Sequence, residues 1–454
     1  MKIQLPYKVN MIINKLMECG FEAYAVGGCV RDSILQKEPE DWDITTSANP
    51  YEVKEIFKRT IDTGIKHGTV TVMMDKDGYE VTTYRIDGEY EDNRHPKEVE
   101  FTRDLTEDLK RRDFTINAMV YNEQNGLVDV FQGYHDLTEG VIRCVGSARD
   151  RFDEDALRIL RAIRFSAQLG FRIEEDTLKA VEEKASNLNN ISAERIRVEL
   201  SKLLLSDNPD KLIVAYETGI TKVILPEFDK MMVTGQKNPH HIYNVGIHTI
   251  KAVSYVCSGE IEKTFTPKEK LILKLTMLFH DIEKPNSKKT DSKGIEHFYG
   301  HDKIGAETSK QILRRLKFDN ETIQLVHRLV LWHDYRFVLE EAAMRKAMHL
   351  IGSDIMELLF EVKRADTLAQ NPNTHEEKFE QLERAKELYL TIVNNQECVC
   401  LKDLDINGKD LINLGFKPGI KVGEVLNQLL DMVLNQPDMN KKEILTKKAR
   451  EFMD

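Results

Sequence analysis

Long hydrophobic runs are missing from this chain of 454 residues. None approaches the roughly 20 apolar residues that a membrane-spanning helix requires, and the N-terminus lacks the apolar core of an export signal. A cytoplasmic protein with no membrane partner is therefore expected. Cysteine is equally scarce. The six residues Cys19, Cys29, Cys144, Cys257, Cys398 and Cys400 form no CxxC pair and no disulfide framework, which points to reduced thiols. Cys398-Val-Cys400 is spaced more tightly than zinc sites usually are. Aromatics make up only 7% and charged residues 31%, a balance that suits disorder when apolar periodicity is absent. Here the periodicity recurs throughout, with 41% hydrophobic residues, so the chain should fold and fill about three domains. No internal repeat or low-complexity segment interrupts it. The net charge of -11 argues mildly against nucleic acid as a partner, but phosphate binding depends on local basic patches rather than on the total.

Up to about residue 145 the pattern is α+β. An amphipathic helix from Val9 to Glu18 stops at Cys19-Gly20, and short β-rich runs follow: Ala23–Val26, Trp42–Thr45, Gly68–Met74, Tyr79–Tyr84 and Glu98–Phe101. Asp77-Gly78 is the expected hairpin turn. From about residue 148 the spacing of Leu157, Leu160, Ile163, Phe165 and Leu169 is helical, and helical character persists nearly to the end. Asn238-Pro239 is a candidate boundary before a His-rich module, and a polar stretch near Gln370 to Glu377 precedes a tail.

Asp41-Trp42-Asp43 stands just before a β-like run. On an extended segment residues i and i+2 face one way, so two hard carboxylates can share Mg²⁺ ions. Alone, Asp-x-Asp more often marks a solvated loop. Upstream, Gly27-Gly28 sits between a strand and a helix, where backbone N–H groups can approach phosphate and Arg31 adds charge; in isolation an ordinary turn is the commoner reading. The two features together, about a dozen residues apart, are far more specific. Glu80 on a following strand-like run is a possible third acid or simply a surface residue.

The stretch GGCVRDSILQKEPEDWDITTSANP, from Gly27 to Pro50, resembles the signature of the class II tRNA nucleotidyltransferases of the polymerase β nucleotidyltransferase superfamily. RRDFTINAM (Arg111 to Met119), DLTEGVIRCVG (Asp136 to Gly146), EDALRILRAIRF (Glu154 to Phe165) and ISAERIRVEL (Ile191 to Leu200) match further family motifs in order. The resemblance implies an α+β fold, with a polymerase-β-like head followed by an all-helical neck and body. It implies tRNA, CTP and ATP as partners rather than DNA, Mg²⁺ as cofactor, and addition of CCA to the tRNA 3′ end. Asp41 and Asp43 become the metal-binding carboxylates, and Gly28, Arg31, Arg112, Asp155, Arg158 and Arg161 the nucleotide-binding residues.

Glu154 and Asp155 read as acids at a helix start, favourable to the helix dipole. A capping cluster with i,i+3 salt bridges is the plain alternative. The chemistry of the bases suggests more. Cytosine and adenine each offer an amino donor beside a ring-nitrogen acceptor, so a carboxylate and a guanidinium one helical turn apart can read both. Uracil and guanine invert both groups, at about 1–3 kcal/mol for each group left unpaired. Asp155 and Arg158 fit that task. The polar segment from Tyr84 to Pro96, around Asp87, reads as a mobile loop; by the resemblance it is the loop that converts the pocket from CTP to ATP, which favours A addition.

Farther on, His248 precedes an apolar helix, His280-Asp281 ends another, and His301, His333 and Asp366 follow. An isolated helical His is usually a core residue, but this series is a plausible mixed N/O metal shell. The module resembles the HD phosphohydrolase superfamily, which implies His248, His280, Asp281 and Asp366 as ligands of a further divalent metal. Glu283 departs from the small residue often found there, and His301 and His333 are open between a second metal and phosphate contact. A purely scaffolding helical module is the alternative. The tail from Asp403 to Leu430 resembles an RNA-contacting segment, with Gly415, Lys417, Pro418 and Gly419 forming a turn. The expected domains are 1–146 (head), 147–238 (neck and body), 239–370 (HD module) and 371–454 (tail). The rival readings are an A-adding enzyme, a poly(A) polymerase, and an RNA-binding HD phosphohydrolase.

Overall fold

The computed structural model describes residues 2–88, 99–237, 240–259 and 264–453, which fall into two compact units, Met1–Pro226 and Glu227–Asp454. The proposed boundary at Asn238-Pro239 and the loop from Glu89 to Pro96 lie outside the described residues.

The first unit is α+β. Helix α1 (Tyr7–Glu18) buries Val9, Ile12, Ile13 and Leu16, the i, i+3, i+4, i+7 stripe of an amphipathic helix. Nine strands follow: β1 (Ala23–Val26), β2 (Ile44–Thr46), β3 (Thr60–Gly64), β4 (Thr69–Met74), β5 (Asp77–Thr83), β6 (Arg85–Asp87), β7 (Val99–Phe101), β8 (Met119–Asn122) and β9 (Gly126–Asp129). Seven form one sheet in the order β3-β4-β5-β2-β1-β8-β9. β1 is buried along its length, as its central place requires, and pairs antiparallel with β2 and β8. β2 runs parallel to β5, with Ile44 opposite Val81. The β4–β5 hairpin turns at Asp75-Lys76 rather than at Asp77-Gly78: Asp75 takes the left-handed φ of +59°, and Asp77 already pairs with Met74. The segment expected to be a loop from Tyr84 begins instead with β6, which pairs with β7.

Helix α2 (Gly28–Ile34) starts directly after Gly27, whose φ of +81° suits a residue without a Cβ. Below the sheet the unit is helical, with α3 (Leu157–Leu169) and α4 (Ala193–Leu204) packed together. The acids expected to begin α3 do not. Glu154 closes the preceding helix (Ala148–Glu154), and Asp155 occupies an extended break with φ of -135° and ψ of 101°. Helical periodicity runs through both segments, so the break left no trace in the apolar pattern.

The second unit is helical except for a short ladder pairing Lys289–Thr290 with Glu296–His297. Helices α5 (Val245–Tyr255), α6 (Pro267–Phe279), α7 (His301–Arg315), α8 (Asn320–Trp332) and α9 (Met356–Leu368) carry the histidine series at or near their ends. The last helices, α10 (Ile420–Asn435) and α11 (Lys442–Arg450), bury their own cluster, including Leu411, Phe416, Leu429, Val433 and Leu445. No helix among the described residues is long and apolar enough to cross a membrane.

Candidate active site and metal centre

In the head, the β2–β5 register puts Asp43 and Glu80 immediately before the paired residues Ile44 and Val81, so the two acids sit side by side on adjacent parallel strands. Asp43 is also anchored by its backbone, its carbonyl accepting from Val26 N at 3.0 Å. Burial is the main cause that raises the Asp43 carboxyl above its ordinary range. Arg112 opposes the rise, while the Glu80 and Asp41 charges add to it. A group of oxygen donors whose mutual repulsion is not neutralised within the protein fits a divalent cation.

Arg112 flanks this group. Its Nη1 would lie 3.3 Å from a Cβ on Gly27, and its Nη2 is 3.5 Å from Asp108 Oδ2. Arg112 is thus packed against the Gly27-Gly28 turn. Arg31, expected as a nucleotide ligand, is buried and engaged internally. It donates to Asn117 Oδ1 at 2.7 Å and to both Asp32 oxygens at 2.8 and 2.9 Å. Arg161 is likewise held by the buried Asp113 carboxylate, which also accepts from Phe114 N and Asn117 Nδ2. Arg31, Arg161 and Arg164 surround the Phe165 ring at 5.0, 5.3 and 3.7 Å, and Arg164 pairs with buried Glu199 on α4. These arginines form a cation–aromatic cluster joining the sheet to the neck.

Beside that cluster, Asp155 and Arg158 are both fixed. Asp155 Oδ1 accepts from Leu157 N at 3.1 Å, and Oδ2 from Arg195 Nη2 at 2.8 Å. Arg158 donates to Glu154 Oε2 at 2.6 Å, to Arg151 O at 3.1 Å and to Arg111 O at 2.7 Å. Sequence reasoning singled out neither Arg195 nor Asp113, although both lie inside quoted motifs. Their signal is a long-range pairing, 40 and 48 residues from the partner, which no local spacing carries.

In the second unit, the four residues expected as ligands converge. His248 Nε2 is 3.2 Å from His280 Nε2 and 3.0 Å from Asp366 Oδ1; His280 Nε2 is 3.2 Å from Asp281 Oδ2. His248, His280 and Asp281 are buried, and the sets of three or more ligand atoms within 4.8 Å of one another, among the described residues, both lie in this unit. Glu283 turns away, accepting from Thr308 Oγ1 and Asn286 Nδ2. Two neighbours not anticipated are Lys284, whose Nζ is 2.7 Å from Asp281 Oδ2, and buried His241, whose ring meets His248 edge-on. A cavity of ≈ 510 Å³ opens onto the group, walled in part by Tyr299, Trp332, Tyr335 and Arg336.

The sheet order, the acids on adjacent parallel strands and the glycine turn before α2 define a polymerase-β-like nucleotidyltransferase head on a helical body. Such a head implies a divalent metal. Family models match in sequence order: the poly A polymerase head domain over residues 23–143, the RNA and SrmB-binding site of polymerase A over 170–232, and tRNA nucleotidyltransferase domain 2 over 290–449. A CCA-adding enzyme of Pediococcus pentosaceus is 35% identical over 437 residues, 93% of this chain and 92% of that protein. One from Leuconostoc mesenteroides is 55% identical over 209 residues; there the alignment spans 45% of this chain and 52% of the relative, about half its length. A crystal structure of the Bacillus stearothermophilus CCA-adding enzyme in complex with CTP superposes with a TM-score of 0.72 at 28% identity, covering 99% of this chain and 98% of that one. The chain belongs to the family of CCA-adding enzymes.

Proposed function

We propose that this protein adds C, C and A to the 3′ end of tRNA in the cytoplasm, from CTP and ATP and without a nucleic-acid template. The observation that carries the reading is the base-facing pair: Asp155 presents a carboxylate fixed at both oxygens, and Arg158 a guanidinium fixed by three acceptors. Rigid donors and acceptors can discriminate between bases because they cannot swing to accommodate the wrong one. Asp41 and Asp43 are read as the Mg²⁺ ligands, with Glu80 beside them as the third acid. Bound there, Mg²⁺ would favour deprotonation of the attacking 3′-hydroxyl and neutralise the leaving pyrophosphate. Gly28 and Arg112 are read as contacts to the triphosphate. Arg31 and Arg161, engaged by Asp32, Asn117 and Asp113, are read as groups that hold the nucleotide pocket in shape. The loop from Tyr84 to Pro96 supports a protein equipped for the terminal A.

The test uses tRNA ending before the first C, after one C and after CC, each with single nucleotides and Mg²⁺. CTP use on the shortest substrate and ATP use only after CC are expected. Failure with CTP overturns CCA addition, and A incorporation alone establishes the narrower A-adding enzyme. Asp41→Ala and Asp43→Ala should each reduce transfer at least ~10³-fold, since metal-held chemistry has no substitute ligand.

A second activity is favoured by the convergence of His248, His280, Asp281 and Asp366 below an open cavity. We read these four as a divalent-metal site for phosphoester hydrolysis. Metal bound there would polarise a phosphate oxygen and supply hydroxide at neutral pH. Lys284 and Arg336 place positive charge at the cavity, where a phosphate would need it.

A further inference from the structure

Asp281 is buried, and neither of its carboxylate oxygens receives a hydrogen bond from the protein. The Lys284 ammonium lies 2.7 Å from Oδ2 as a counter-charge only. A buried carboxylate is normally hydrogen-bonded on both oxygens. The histidines explain the exception, because they come in two matched pairs, one for each oxygen. On the Oδ2 side stand His280 and His248, with Nε2 at 3.2 and 3.6 Å from that oxygen. On the Oδ1 side stand His301 and His333, with Nε2 at 3.4 and 3.8 Å. Within each pair the two Nε2 atoms face each other at 3.2 Å.

The tautomers follow from the outer edge of each ring. His248 Nδ1 meets Ala369 O at 3.2 Å, and the Nδ1 atoms of His280, His301 and His333 meet Met277 O, Phe298 O and Val330 O at 2.7 Å each. A carbonyl only accepts, so each Nδ1 carries the proton, and each neutral ring turns the Nε2 lone pair inward. This is the arrangement in which backbone carbonyls orient ligating histidines. Two lone pairs 3.2 Å apart, beside a carboxylate oxygen without a donor, call for a cation between them. The Oδ1 side repeats every element of the Oδ2 side except Asp366.

We infer that the second unit holds two divalent ions, not one, with Asp281 bridging a first ion on His248, His280 and Asp366 to a second on His301 and His333. The inference rests on the reading of the first four residues as a metal site. The second ion has three protein ligands and borders the cavity, which His301 and His333 also line. Such a site keeps positions open to solvent or substrate, unlike a closed structural site. Its imidazole-rich donor set selects Mn²⁺, Fe²⁺, Co²⁺, Ni²⁺ or Zn²⁺ over Mg²⁺ and Ca²⁺.

The test uses the full chain carrying Asp41→Ala and Asp43→Ala, which removes the head carboxylates from the count. After chelation and reconstitution with Mn²⁺, metal content is measured by mass spectrometry and coupling by electron paramagnetic resonance. Two Mn²⁺ per chain with an exchange-coupled spectrum are expected. His301→Gln and His333→Gln, which keep polar side chains of similar reach, should each leave one Mn²⁺ with an uncoupled six-line signal. Asp281→Asn should abolish the coupling. One Mn²⁺ per chain that survives His301→Gln but is lost in His248→Gln overturns the second ion and leaves the first-ion reading intact. No bound Mn²⁺ overturns both. Two uncoupled ions insensitive to His301→Gln and His333→Gln overturn the bridge. Thermal melts that match the parent ensure that a lost ion reports lost ligands rather than unfolding.

Discussion

Arg195→Ala isolates the contribution of the residue that holds Asp155 in place. In the parent, Arg195 Nη2 lies 2.8 Å from Asp155 Oδ2, while Leu157 N fixes the other oxygen. A hydrogen bond between charged groups is worth about 1.5–3 kcal/mol. The two side chains keep 24% and 20% of their surface exposed, so solvent screening reduces this to about 1–2 kcal/mol. If Asp155 reads the exocyclic amino group, freeing one of its oxygens weakens that contact in the transition state but not the contacts to the triphosphate. The consequence is a roughly 5–30-fold fall in kcat/KM for CTP and ATP, with little change for UTP, so selectivity drops by the same factor. The assay measures kcat/KM for CTP, ATP and UTP on tRNA lacking CCA, for the parent, Arg195→Ala and Arg195→Lys. The lysine variant should recover part of the selectivity, since one charged donor still reaches the carboxylate. An Arg195→Ala protein that keeps its native circular dichroism and loses activity equally with every nucleotide would refute the argument, because a merely structural role lowers all rates together.

Three further expectations concern stability and reactivity. Burial alone would raise the Asp113 carboxyl, but Arg161 outweighs it and holds the group well below the usual carboxylate range. Its folded pKa therefore lies below the unfolded value of about 3.9, so its stabilisation is complete above that pH and is lost as pH falls further. Asp113→Asn should cost about 3–5 kcal/mol at pH 7, by leaving Arg161 without its counter-charge, and the gap to the parent in urea unfolding should narrow below about pH 4. Gly133→Ala would bring a Cβ to 2.1 Å from the Thr115 carbonyl oxygen, so a loss of about 3 kcal/mol or more is expected, and an unchanged thermal midpoint would contradict it. Burial pushes the thiol of Cys29 up to about 11 and that of Cys144 up to about 12, whereas Cys19 is exposed. Thiol labelling at pH 8 followed by peptide mapping should find Cys19 modified in the native protein and the other two only in denaturant.

Much of the architecture was legible in the residues. β1 falls on the expected Ala23–Val26, and α1 begins two residues before the expected Val9. The four histidine-module residues meet as expected because each stands at or near a helix end, where chemistry-bearing side chains break the apolar rhythm. Local pattern failed where the decisive partner lies far along the chain. The hairpin turn moved to Asp75-Lys76 because pairing of Met74 with Asp77 fixed the register. The break at Asp155 was invisible because both flanking segments are helical. Arg31 and Arg161 looked like phosphate ligands by charge alone, yet Asp32, Asn117 and Asp113 engage them inside the fold. Charge is readable in a sequence; whether it is already neutralised is not.

The ring of guanidinium groups about Phe165 also bears on how one pocket handles two nucleotides in succession. Arg31 belongs to α2 and Asp113 to the segment before β8, while Arg161, Arg164 and Phe165 belong to α3 and Glu199 to α4. Sliding α3 against the sheet would uncouple Arg161 from Asp113 and Arg164 from Glu199 at once, stranding buried charges at about 3–5 kcal/mol for each pair broken. The cluster therefore works as a keel: it ties the frame carrying the metal ligands to the frame carrying the base-reading pair, and it moves only as a whole. Adjustment between cytosine and adenine must fall to parts not fastened to it, such as individual side chains and connecting loops, while the distance over which the growing 3′ end meets its nucleotide stays constant from one addition to the next.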